Sequence, residues 1–158
     1  MPLIHITNFV AAPRERVFDL SRSVDLHKHS MSKYEEKIVK GTVTGLMNLH
    51  DEVTWKAKHI FKERVLTVKI TELKKPDYFV DEQVSGEFVL LKHEHYFKPV
   101  ENGTIMIDQF RYEIKRGLIG KLFNQLYLEK YMRRLLSERN EIIRKLAEGN
   151  QWKQFLEK

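Results

Sequence analysis

Two hydrophobic periods divide the chain. Between Tyr34 and Ile114 apolar and polar residues alternate, whereas beyond Gly120 apolar residues return every third or fourth position. Alternation places successive side chains on opposite faces of a strand, and the 3–4 spacing collects them on one face of a helix. The first period predicts strands in YEEKIVKG, HDEVTWKAKHI, VLTVKITEL, DYFVDEQVS, FVLLKHEHYFK and TIMIDQFRYEI, after an extended start in LIHITNFV. The segments GLMN, KKPD, SGE and PVENG read as turns between them. Consecutive strands joined by short turns imply an antiparallel meander.

Two short helices fit between the first strand and the meander. In AAPRERVFDL, Pro13 suits a first helical turn and Val17, Phe18 and Leu20 form an apolar side. Ser23 is a good cap for VDLHKHS, where His27 and His29 are expected as exposed helix residues. A long last helix is predicted through LFNQLYLEKYMRRLLSERNEIIRKLAEG, stopping at Gly149 and leaving about 150–158 as a tail. Leu128, Met132, Leu135, Ile142 and Ile143 share one arc and are expected to be buried. Leu122, Phe123 and Leu126 lie on another arc, so the helix bends near Tyr127 or makes two separate contacts. Arg139 falls inside the apolar arc and is expected to snorkel to solvent, the alternative being an ion pair with an acid of the sheet or early helices.

The whole is an α+β layout, expected as a single domain over residues 1–158. Cysteine is absent, which removes disulfides, thiolate metal sites and a cysteine nucleophile. The net charge of +6 invites a polyanion partner, but Lys and Arg alternate with Glu in KYEEKIVK and LEKYMRRLLSERNEIIRK, the pattern of solvated faces. With no zinc-finger spacing and no aromatic RNA-binding signature, nucleic acid is not expected as a partner. The start MPLIHITNFVAAPRE shows no basic leader before an apolar core, and no run reaches about 18 apolar residues, so a soluble cytoplasmic protein is the default expectation.

The segments AAPRERVFDLSRSVDLHKHS, DEVTWKAKH, FVDEQVSGEF, KHEHYF, GTIMIDQFRYEI and YMRRLLSERN together resemble the START-related SRPBCC superfamily. The resemblance runs almost end to end and is nearest to the polyketide cyclase/dehydrase-like branch, from which Glu87 departs where that branch carries a proline. It implies a helix-grip fold: a curved antiparallel β-sheet of about seven strands wrapped around a long C-terminal helix, with two short helices after the first strand. It further implies an internal cavity for a small hydrophobic or amphipathic molecule such as a lipid, quinone or polyketide-like compound. Fold alone does not settle function, so a cyclase/dehydrase-type enzyme and a carrier making transient membrane contact stay open as alternatives.

The candidate lining follows from strand faces. Val53, Trp55, Ala57 and His59 oppose a charged face, so Trp55 is expected inward, as core filler or ligand platform, and His59 at the rim. His93, His95 and Phe97 oppose Lys92, Glu94, Tyr96 and Lys98; Met106, Asp108, Phe110 and Tyr112 oppose Gln109, Arg111 and Glu113. These inward sets, with Leu126 from the last helix, complete the expected ligand-binding residues. Asp108 is expected within hydrogen-bond reach of His93 or His95, because a buried carboxylate without a partner is costly. If the protein is an enzyme, His93, His95 and Asp108 are its acid/base candidates, with Asp81 and Gln83 nearby; none is assigned a catalytic role outright. The two histidines lie about 6.6 Å apart along a strand and could share an ion with an aspartate of a neighbouring strand, but that needs oriented partners that a sequence does not display. No metal and no cofactor are assigned, and oligomeric state is left unknown.

Overall fold

A computed structural model describes residues 1–114 and 117–157. Strand β1 (Leu3–Val10) leads into helices α1 (Arg14–Ser21) and α2 (Val24–Ser30). Six strands follow: β2 (Lys37–Gly41), β3 (Glu52–His59), β4 (Lys62–Lys74), β5 (Tyr78–Ser85), β6 (Leu90–Val100) and β7 (Gly103–Glu113). Helix α3 (Leu118–Phe123), a π-helical turn at Asn124–Leu128, helix α4 (Glu129–Glu148) and the short α5 (Lys153–Leu156) close the chain. The sheet is antiparallel with seven strands in the order β1-β7-β6-β5-β4-β3-β2. Strands β2 to β7 thus form the expected meander, and β1 adds to its last edge. This is the helix-grip layout.

Register irregularities at Ile38/Lys40, Thr67/Val68 and Ile70/Glu72 bend β2 and β4. The bend lets the sheet wrap α4. On β7 the alternation is complete: Thr104, Met106, Asp108, Phe110 and Tyr112 are buried while their neighbours are half-exposed. Helix α4 answers with buried Leu135, Leu136, Ile143, Leu146 and Ala147, and Leu128 is buried just before it. Met132 and Ile142 are half-buried in the same packing.

Several local expectations need correction. β2 starts at Lys37 rather than Tyr34, because Ser32–Tyr34 forms a 3-10 turn ended by Glu35 in the left-handed region (φ 54°). β4 starts at Lys62: a two-residue hairpin turn sits at Ile60 and Phe61, both with positive φ (52° and 60°). A turn of this hand normally uses Asn or Gly, so the apolar pair concealed it. Residues 150–157 do not trail as a tail. Trp152, Phe155 and Leu156 pack against the core, with the Arg16 guanidinium 4.3 Å above the Trp152 ring. Glu94, expected in solvent, is almost fully buried on the convex face, 3.1 Å from the Tyr96 hydroxyl and 3.4 Å from the Arg111 guanidinium.

Candidate functional site

Between the sheet and α4 lies a cavity of about 460 Å³. That size is within the range of small-molecule sites. Its walls are largely apolar: Val53, Trp55, Val68, Ile70 and Phe79 from the sheet, Leu135 and Leu136 from α4, and Val24 and Met31 from the α2 region. Exposed Val65, Glu87 and Phe123 also border it, so it opens between the β3–β4 turn, the β5–β6 turn and the start of the C-terminal helical segment. Glu87 pairs there with Lys62 at 3.0 Å and with Arg64.

A chain of polar groups crosses the inner wall. Register places Asp81 opposite His93 and Asp108 opposite His95, yet each histidine also reaches diagonally. His93 Nε2 lies 2.8 Å from Asp108 Oδ1, and His95 Nε2 lies 2.8 Å from Asp81 Oδ2. His95 Nδ1 is 3.0 Å from the same Asp108 Oδ1. From α4, Asn140 Nδ2 donates to Asp108 Oδ2 at 2.6 Å and to Asn8 Oδ1 at 3.0 Å. The Arg139 guanidinium stands 3.7 Å from Asp108 and donates to the Ser21 carbonyl at 2.9 Å and to Asn140 Oδ1 at 3.1 Å.

These contacts determine the protonation pattern. Burial raises the Asp108 carboxyl, but hydrogen bonds from His93 and His95 outweigh it and hold the group well below the usual carboxylate range. Burial also acts on Asp81, where the His95 hydrogen bond prevails and the pKa is again lowered. For His95, burial disfavours charge, yet hydrogen bonds to Asp108 and Asp81 raise it above the usual histidine value. His93 goes the other way, lowered by burial and then by the neighbouring His95. Carboxylates against both nitrogens thus favour the imidazolium form of His95, while burial and that neighbour favour the neutral form of His93, for which a proton on Nε2 toward Asp108 would leave Nδ1 as acceptor. Two carboxylates then balance His95 and Arg139.

The expected site residues divide into two groups. Trp55, His59, His93, His95 and Phe110 border the cavity. Asp108 lies behind the histidines, while Phe97 and Met106 are packed into one apolar cluster and Tyr112 into another, away from the cavity surface. Leu126 is 62% exposed and does not border the cavity, because the π-helical turn shifts the helical phase just before α4. Arg139 does not snorkel; only 6% exposed, it ties α4 to the end of α1 and to Asp108.

Two groups were missed. His27 borders the cavity, its ring 4.4 Å from that of Trp55 and tilted 33° to it, and lies 3.2 Å from Glu36. Tyr131 receives His59 at 2.7 Å between Nδ1 and its hydroxyl; burial pushes the phenol up to about 12 and the imidazole down. The i+4 spacing from His27 to Met31 was visible, but the strand it packs against was not.

No family model matches the chain, and no curated protein matches it. Solved structures do. TTHA0849 from Thermus thermophilus aligns with a TM-score of 0.76 at 18% identity, over 92% of this chain and 97% of that one. The KanY protein (ms6282) aligns at 0.70 with 16% identity, over 94% and 100%. The ginseng major latex-like protein 151 from Panax ginseng aligns at 0.63 with 12% identity, over 92% and 97%. Each likeness spans nearly the full length of both chains, and at these identities what the chain shares with them is the helix-grip fold.

Proposed function

We propose that the protein binds and carries a small hydrophobic or amphipathic molecule, of lipid, quinone or polyketide-like chemistry, in the cavity between sheet and α4. The cavity itself carries this reading: about 460 Å³ walled chiefly by apolar and aromatic side chains, with polar groups gathered on one wall. An apolar ligand would be held by burial against Trp55, Phe79 and Leu135. The neutral His93 would accept a hydrogen bond from a ligand hydroxyl through Nδ1, and Asp81 offers a carboxylate beside it. Native mass spectrometry of protein purified from its own cells, followed by extraction, should release an apolar compound in near-stoichiometric amount. Quenching of Trp55 by added apolar probes should saturate at one site per chain, and a probe that never saturates would refute the reading.

A cyclase/dehydrase-type enzyme is the second reading, favoured by one observation. Asp108 lies 2.8 Å from His93 Nε2, which favours a proton there and leaves Nδ1 as acceptor, the way a carboxylate orients a histidine for proton transfer. Turnover of a reactive polyketide-like substrate, lost in His93→Gln while binding persists, would select this reading over carriage. Among the described residues no helix is long and apolar enough to cross a membrane. Transient membrane contact is proposed through surface Lys and Arg with the exposed Phe61, Leu122, Phe123 and Leu126 beside them, and salt-sensitive binding to anionic vesicles would reveal its electrostatic part.

A further inference from the structure

Asp81, His93 and His95 converge on the cavity wall. One donor atom from each lies within 4.8 Å of the others, and among the described residues this is the sole group of three such side chains so arranged. All three border the cavity, and Asp108 does not. The sequence left open which neighbouring strand would supply an aspartate as third ligand; the structure offers Asp81 from β5, on the side of the histidines opposite Asp108 of β7.

Asp108 has a different place in this arrangement. Its Oδ1 accepts from His93 Nε2 at 2.8 Å and from His95 Nδ1 at 3.0 Å, while Oδ2 is taken by Asn140 at 2.6 Å. Those bonds leave His93 Nδ1 and His95 Nε2 as the nitrogens with coordinating capacity. A carboxylate that receives the second ring N–H is what metal-bound histidines ordinarily have, because it sets the tautomer and strengthens the donor. Here one buried carboxylate does so for two rings, and Asn140 and Arg139 hold that carboxylate in turn.

We propose that Asp81, His93 and His95 form a binding site for a divalent first-row transition cation, open on the cavity side, with Asp108 as the shared partner that orients both imidazoles. Two imidazoles and one carboxylate, with no thiolate in the chain, suit Zn(II) or Fe(II) rather than soft monovalent ions. Metal–donor bonds of about 2.1 Å require donors about 3.0–3.4 Å apart. The present spread of up to 4.8 Å needs closure by about 1.4–1.8 Å. Asp81, at 19% side-chain exposure, is the least confined of the three. The cation would take the place of the proton now shared by His95 Nε2 and Asp81 Oδ2, 2.8 Å apart, and that proton would leave to solvent. Three protein ligands leave at least one position for an oxygen of whatever occupies the cavity. The site would act as a Lewis-acid anchor.

Zn(II) titration of chelator-stripped protein against a chromophoric competitor should show one equivalent bound per chain, and Co(II) should give the visible absorption of a low-coordinate nitrogen/oxygen site. Asp81→Asn, which keeps a hydrogen-bonding group beside His95, should weaken Zn(II) at least tenfold, with the circular dichroism of the metal-free variant showing that it is folded and its thermal midpoint lowered by the lost counter-charge. His93→Ala should weaken it similarly. A combined His5, His29 and His50 substitution to Gln should leave the affinity unchanged, since those three are exposed. Less than one equivalent in wild type, wild-type affinity in Asp81→Asn, or loss of binding in the triple variant would each overturn the site. An apolar probe in the same metal-free samples reads the cavity separately, so failure of the cation site and failure of ligand binding give different results.

Discussion

The concave face of the sheet is filled at one end and hollow at the other, although the same strands run through both. At the filled end Phe97 meets Phe18 of α1 edge-on, with ring centroids 5.4 Å apart, and Met106 and Ile143 close the cluster. At the hollow end Leu91 and Phe110, on those same β6 and β7, sit with Leu128 and Leu136 around open space. The alternation of apolar residues is equally regular in both halves. The difference is in the cover: α1 lies over β6 and β7 at one end, while the other is covered by the early turns of α4, the π-helical turn before it and the α2 region, which leave open space beneath them. The polar cluster of His93, His95 and Asp108 lies between Leu91 and Phe97 on β6 and between Met106 and Phe110 on β7. It is the boundary between a packed core and a cavity.

Removing that boundary should have the largest effect. Asp108→Ala would leave the His95 imidazolium and the Arg139 guanidinium buried beside each other without their shared counter-charge, at a cost of about 3–5 kcal/mol. Urea unfolding should show it as a lower midpoint. An Asp108→Ala protein as stable as wild type would mean that the boundary is only a cavity lining.

The two halves should also differ in tolerance. Phe97→Ala opens a void in a region with no slack and should cost about 3–5 kcal/mol. Leu135→Ala only enlarges an existing space, and a loss of about 2 kcal/mol, the low end for such truncations, is expected. Equal losses, measured at equal denaturant slopes, would erase the contrast.

The smallest effect is on pH dependence, measured with a chelator present. His95 has a folded pKa above its unfolded value of about 6.5, so its contribution is complete below that pH and is lost as pH rises through the folded value. His93 has a folded pKa below 6.5, so its contribution is lost as pH falls from there through the folded value. Asp108 adds a further loss at more acid pH, below its unfolded value of about 3.9. Stability should therefore decline on both sides of mildly acid pH. His93→Gln should flatten the limb just below pH 6.5 and leave the alkaline limb in place.

Local pattern went far in this chain and stopped at identifiable points. The face of KHEHYF that turns inward and the pairing of Asp108 with its histidines both follow from alternation along two adjacent antiparallel strands. Asp81 was named as a polar candidate, but its closeness to His95 depends on the β5–β6 register, which a one-residue slip would have abolished. Arg139 was misjudged for a similar reason. Whether a long cation reaches water depends on what surrounds it, and its acceptor, the Ser21 carbonyl, belongs to a helix 118 positions earlier. Leu126 was placed in the lining although its arc differs from that of Leu128 and Leu135, and it stands exposed in the π-helical turn.

The sequence by itself determined the elements, their order and the inward faces of the strands, because those depend on periodicity between neighbours a few residues apart. Tertiary structure alone decided where the concave face stays hollow, which carboxylate stands in the cavity and which behind it, and where Arg139 finds its partners. Each of these is a contact between segments brought together by the wrapping of the sheet around α4, and no local pattern encodes that distance.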